Sequence, residues 1–377
     1  NVCGGINAFT TMRSAIDDEQ TISSYLVLSS KALARNQQQQ AELMQQTLQN
    51  VRFDELPRLR ELVGQQRARR EQSVTNNGHS LAMSAASSGM SPAAQLSHKL
   101  SGLAGIQAVK QLDESLQTDA GLQAYADKLT ALHQQILASS MQLVLVAEAD
   151  KLAQCQQTIS QLWEQAKAAE QASRFSPEKI RKTNKQLWIA NTQVNFCAKA
   201  YATVTVEHAD SAPLTVLGGF LRNGYLHRAI REQGGAYGGG ASQDSNTASF
   251  RFYSYRDPRL EETLEDFDGA IKWLLETEHD DEQLEQAILG VVSSIDKPGS
   301  PAGEAKQSFH NNLFGRSHEQ RSRFRQRVLG VSLADLKRVT ATYLTPETAS
   351  IAVITSQSNA DQLGDFVKNQ AIETQTV

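Results

Sequence analysis

The sequence predicts an α+β fold organised in two units. Two observations carry that expectation. Strand-like segments stand near the start and at the end of each unit with helical patterns grouped between them, an order unlike a regular βαβ repeat. The chain of 377 residues also exceeds what one hydrophobic core usually serves, so two domains are the default.

In the first unit, residues 23–29 read as a short strand. Residues 32–49 read as a helix whose apolar positions are Leu33, Leu43, Met44 and Leu48. The Gln-rich run within it resembles low complexity, but its apolar spacing favours a solvated helical face. Residues 53–73 carry Arg58, Arg60, Arg67, Arg69 and Arg70 against Asp54, Glu55, Glu61 and Glu71. Mixed signs favour an exposed helix held by i,i+4 pairs over a nucleic-acid arm. Ser91-Pro92 is a helix start, with Ser91 as N-cap and Pro in the first helical position, and a helix-rich stretch runs on to about 139. Residues 141–147 read as a buried strand and 151–172 as a closing helix.

Arg174, Pro177 and four further basic residues before position 187 mark the linker candidate, placed at 174–188 between units 1–173 and 189–377. The second unit begins with a strand at 193–203 and a helix at 213–232. A glycine-rich crossing leads to a strand at 250–256, which Asp257-Pro258 stops. Helical patterns at 259–278, 281–295, 301–313, 318–328 and 333–344 precede a last strand at 350–355.

Composition narrows the partners. A formal charge of -4 leaves no basic footprint for nucleic acid, and no apolar run approaches the roughly 18 residues that span a bilayer. Cys3, Cys155 and Cys197 are odd in number and far apart, which argues against a disulfide framework and against a Cys-based zinc site. That leaves the compartment open and favours cytoplasm or an organelle matrix over a disulfide-rich extracellular setting. The chain starts without an initiator Met, and its start reads as a cut.

Most catalytic signatures are missing. No Gly-x-Ser-x-Gly elbow occurs, and no His-x-x-Glu-His supplies two metal ligands one helical turn apart. The nearest string, His279-Asp-Asp-Glu282-Gln283, has Gln where the second ligand belongs, and its acidic residues read as a helix first turn. His79, after Gly78, reads as a turn or packing histidine. The expectation is no metal in this chain.

The most informative stretch is Arg231-Glu-Gln-Gly-Gly-Ala-Tyr237-Gly-Gly-Gly-Ala241, with five glycines in the seven residues 234–240. A nucleotide loop would need a strand before it and a helix after it, and here the helix comes first. Composition alone favours a helix C-cap running into a glycine-bulged strand. Arg231 then reads as a charge at a helix C-terminus and Tyr237 as a half-buried strand aromatic.

The wider run Asn223–Ala241, followed by Phe252–Pro258, resembles the last domain of presequence proteases, oligopeptide-degrading zinc proteases of the insulinase and pitrilysin superfamily. Further matching segments are 25–36, 78–82, 91–96, 192–196, 288–292 and 300–303, in the same order. The resemblance implies two insulinase/pitrilysin-type domains, each a mixed or antiparallel sheet packed with helices. They would be the third, N-terminally incomplete, and the fourth of a longer protein.

It also implies that Arg231 and Tyr237 contact the substrate around the scissile bond, and that Gly234, Gly235, Gly238 and Gly239 let an extended peptide lie close to the backbone. Zinc would sit in the N-terminal half of the parent protein, which is then the partner of this chain, with unfolded oligopeptides as substrates. The fragment alone would be inactive. Two alternatives stay open: a non-catalytic scaffold of the same superfamily, and a peptide-binding module that works by itself.

Overall fold

The computed structural model describes residues 2–163 and 175–377. It opens with an antiparallel hairpin of β1 (Ile6–Ser14) and β2 (Ile22–Ser30), in register from Ile6 opposite Ser30 to Ser14 opposite Ile22. Helices α1 (Gln37–Gln49), α2 (Leu56–Ser87), α3 (Pro92–Ser101), α4 (Leu103–Ser115), α5 (Asp119–Leu137) and α6 (Ala149–Trp163) follow. The charged stretch lies on α2, where Arg67 pairs with Glu71 one turn on and with Asp113 of α4, both at 3.0 Å. Ser91 caps α3 by accepting from the Ala94 N–H.

The strand expected at 141–147 is absent. That segment has no strand partner among the described residues, and Met141 and Leu143 are 42% and 53% exposed. An apolar run becomes a strand only where another strand satisfies its backbone, and none is in reach here. The closing helix is α6 as far as Trp163, and the rest of its expected span lies outside the described residues.

The later part of the chain builds a six-stranded mixed sheet. β3 (Lys185–Ile189) begins inside the stretch expected as linker. β4 (Phe196–Ala202) leads to α7 (Ser211–Leu221), which continues as a π-helix over Arg222–Gln233 where a single helix is expected. Within its first turn Gly224 lies against Trp273, whose ring stands 2.3 Å from where a Cβ would be. β5 (Gly238–Asp244) and β6 (Ser249–Tyr255) come next. Then follow α8 (Glu261–Glu276), α9 (Asp281–Ile295), α10 (Pro301–Leu313), α11 (His318–Leu329), α12 (Leu333–Tyr343), β7 (Ser350–Thr355), α13 (Gln357–Gln362), α14 (Gly364–Asn369) and β8 (Glu373–Thr376). The strand order is β5-β6-β4-β7-β3-β8. Pairs from β5 to β7 are antiparallel, whereas β3 runs parallel to both β7 and β8. The fold is α+β.

Alternation along the strands splits the core in two. Tyr201, Phe250, Phe252 and Val353 face one side, packed with Leu217 of α7, Phe267 of α8, Leu284 of α9 and Leu336 of α12. Trp188, Phe196, Ala198, Ala352 and Ile354 face the other, against Leu81, Ala82, Ala85 and Ala86 of α2 and Leu103 and Ile106 of α4. Each fully buried Phe or Leu contributes about 1.5–3 kcal/mol. Helices that precede residue 116 and strands that follow residue 184 thus share one core, and β5 is left as an edge.

Candidate functional site

The glycine-rich crossing is built to turn a helix sharply onto the sheet edge. The π-helix ends at Gln233, and the N–H groups of Gly235 and Ala236 return to the carbonyls of Arg231 (3.2 Å) and Ile230 (3.1 Å). Gly235 has φ +78°, a region that L side chains rarely adopt. Gly234 is filled from behind, since a Cβ there would fall 1.9 Å from the Arg259 guanidinium, and Gly239 would meet Ile230 at 2.8 Å. Arg259 donates to the Ala229 carbonyl (3.3 Å) and to Asp266 of α8 (2.8 Å), which ties the end of the π-helix down. Only Gly238 among the glycines singled out for peptide contact has a Cβ position that is both open and unstrained.

This turn brings Arg231 and Tyr237 together. The Arg231 guanidinium carbon lies 5.9 Å from the Tyr237 ring centre, a cation–π distance. Tyr237 is 68% exposed. Glu232, the carboxylate next in sequence to Arg231, pairs with His227 at 3.3 Å. Both a phenol and a cation therefore face outward at the start of the edge strand.

Local sequence patterns give little weight to what stands behind them. Tyr237 meets the Tyr255 ring edge-on at 5.6 Å, and Tyr255 meets His79 of α2 at 4.7 Å. Arg256, in the left-handed region at φ 50°, lays its guanidinium 5.5 Å from the Tyr255 ring. Burial lowers the His79 pKa, favouring the neutral imidazole. The only sequence signal for His79 is its place in a matching segment, because nothing in local spacing links it to position 255.

His279 meets Trp273 (4.4 Å) and Phe220 (5.5 Å) edge to face, with Nε2 against the Leu274 carbonyl, while Asp280 caps α9 through the Gln283 N–H. Among the described residues, no three His, Cys, Asp or Glu side chains come together to hold a metal ion. Cys155 and Cys197 are buried free thiols and Cys3 is half-buried.

Comparison with known proteins gives this geometry a setting. Residues 1–112 match the family described as Peptidase M-16C associated, and residues 185–356 match the PreP C-terminal domain. The chain belongs to the presequence-protease-like family. This presequence-protease-like chain is 31% identical over 326 residues to the mitochondrial presequence protease of Yarrowia lipolytica, covering 86% of itself and 32% of that protein. It is 27% identical over 378 residues to the mitochondrial presequence protease of Danio rerio, covering 93% and 36%. It spans about a third of the length of the curated relatives it matches. The crystal structure of pitrilysin superposes with a TM-score of 0.61 at 14% identity, over 99% of this chain and 38% of that one, which shows a shared fold. No helix among the described residues is long and apolar enough to cross a membrane.

Proposed function

We propose that this chain is the C-terminal, non-zinc-binding half of a zinc metalloendopeptidase that degrades short unfolded peptides. The observation that carries the reading is the pairing of Arg231 with the exposed Tyr237 at the head of a glycine-rich edge strand. A peptide drawn out beside β5 adds its backbone to the sheet edge, and Gly238 gives it room at the first pair of the strand. Its scissile carbonyl then lies by the phenol and the guanidinium. When that carbonyl is attacked, its oxygen gains negative charge, and a fixed cation with a phenol O–H stabilises the oxyanion.

The zinc and the residue that activates water belong, on this reading, to the N-terminal half of the parent protein. This half supplies chamber wall and substrate contacts and hydrolyses nothing alone. Residues 1–173 and 189–377 would be the third and fourth domains, with the end of the 174–188 stretch taken into the sheet as β3. Substrates are selected by extendedness and size. The mitochondrial names of the relatives support an organelle-matrix setting.

The test is peptide hydrolysis by the complete parent protein, with and without a zinc chelator, for wild type, Tyr237→Phe and Arg231→Ala. Loss of one oxyanion donor costs about 2.7–4 kcal/mol, so chelator-sensitive kcat is expected to fall about 10²- to 10³-fold in each variant. Chelator-sensitive cleavage untouched by both changes would remove the pair from the mechanism. A well-folded parent that cleaves nothing would favour the non-catalytic scaffold.

A further inference from the structure

Tyr237 poses a problem of placement. A group that meets a reacting carbonyl has to be held within about 0.5 Å of its working position by neighbours that are themselves locked. Yet 68% of this residue is open to solvent. Its backbone is tied by one N–H bond to the Arg256 carbonyl, at 3.4 Å. Its ring leans on Tyr255, edge-on at 88°, and on the long side chain of Arg231. Among these supports Tyr255 is the one ring in contact with the phenol, so the placement of Tyr237 depends on how firmly Tyr255 is held.

Tyr255 is held from a remote part of the chain. Its hydroxyl donates to the Asn76 carbonyl at 3.4 Å, and its ring meets the His79 imidazole at 4.7 Å and 67°. Both partners lie on α2, and α2 is deformed where they sit. Asn77 leaves the helical region (φ -131°, ψ 26°), and at Gly78 a Cβ would stand 2.5 Å from the Phe196 ring. The kink presses the helix backbone onto β4 and carries His79 over β6, against Tyr253 (5.6 Å) as well as Tyr255. His79 Nδ1 is buried with no hydrogen-bond partner among the described residues. An apolar side chain of similar size would fill this space without burying an unsatisfied nitrogen, which costs about 1–3 kcal/mol.

We propose that His79 is a positioning residue for Tyr237: acting through Tyr255, it fixes the phenol beside Arg231 and makes the kink of α2 part of the substrate-contacting unit. Aromatic pairs set edge to face hold a ring in one orientation, and here two such pairs in series connect residue 79 to residue 237. The proposal rests on the reading of Tyr237 given above.

A double-mutant cycle in the complete parent protein separates the two. Peptide hydrolysis is measured for His79→Ala, His79→Phe, Tyr237→Phe and the double variant His79→Ala/Tyr237→Phe, with thermal melts to confirm folding. His79→Ala is expected to lower kcat about tenfold with KM changed less than about twofold, and His79→Phe, which restores an aromatic edge, to recover most of it. In the Tyr237→Phe background, His79→Ala is expected to add nothing, because its effect passes through the hydroxyl already removed. If the alanine variant does not fold, His79→Leu, which keeps the volume without the ring edge, carries the same expectation. Unchanged kcat in His79→Ala, or losses that multiply in the double variant, would overturn the proposal and leave the role of Tyr237 intact. A Tyr237→Phe variant with wild-type kcat would overturn both.

Discussion

The two faces of the six-stranded sheet are covered by different kinds of residue and end differently. On one, Phe250, Phe252, Tyr201 and Val353 interlock with large side chains from α7, α8, α9 and α12. On the other, Ala198, Ala200 and Ala352 meet Ala82, Ala85 and Ala86, and the small side chains let α2 approach the strands closely. Large interlocking groups close a face for stability alone. The alanine face closes only as far as Phe196 and His79, and beyond them Tyr253 and Tyr255 of β6 are half-buried and Tyr237, just before β5, is exposed. One layer of helix serves as core at one end and as support for a site at the other.

That contrast can be broken at several points. The largest effect is expected on the closed face, where Phe252 is fully buried with its ring 5.5 Å from Phe267. Phe252→Ala is expected to lower unfolding free energy by about 3–5 kcal/mol in urea titrations, with no separate change in KM while the protein stays folded. A loss below about 1 kcal/mol would mean that this face is not the main store of stability.

The second effect is a pH dependence on the alanine face. His98 of α3 packs edge-on to Trp188 at 5.8 Å, and burial pushes its pKa down from 6.5 to about 4. The folded state therefore refuses a proton that the unfolded chain accepts. The stability that depends on neutral His98 is complete above pH 6.5 and lost as pH falls towards 4, by about 3 kcal/mol across that window. His98→Leu is expected to flatten this part of the stability profile, and a slope that persists unchanged would assign it to other groups.

The smallest effect is a test of close approach. At Gly78 an added Cβ must displace the Phe196 ring, so Gly78→Ala is expected to cost about 1–3 kcal/mol in spite of alanine's better helix propensity. A stabilised Gly78→Ala protein would show that the helix has room to move away from β4.

Much of this is legible in the sequence. The helix start at Ser91 and the acidic first turn at Asp280 are readable because capping is local chemistry, carried by residues within one turn. Arg231 and Tyr237 stand out through the family resemblance alone, because local pattern reads one as a helix-end charge and the other as a strand aromatic, with five residues between them. What escapes notice depends on partners far along the chain. β3 has only five residues in a basic stretch, and its place is set by parallel pairing with β7 and β8, more than 160 residues later. The apolar run at 141–147 promises burial that no neighbour among the described residues supplies. His79 looks like packing because the rings it meets lie on a strand that begins 170 residues further on.

The π-helix between Leu221 and Gly234 has a consequence for how this stretch tolerates change. Its turns hold more residues than those of an α-helix, so the direction in which Arg231 leaves the backbone depends on how many residues come before it. Substitutions on its exposed side leave that direction alone. Removing a single residue would tighten a turn and swing everything after it, the arginine first. For these twelve positions, length is inherited information as much as identity is, and two chains that differ here by one residue would not share the same site even if every other letter agreed.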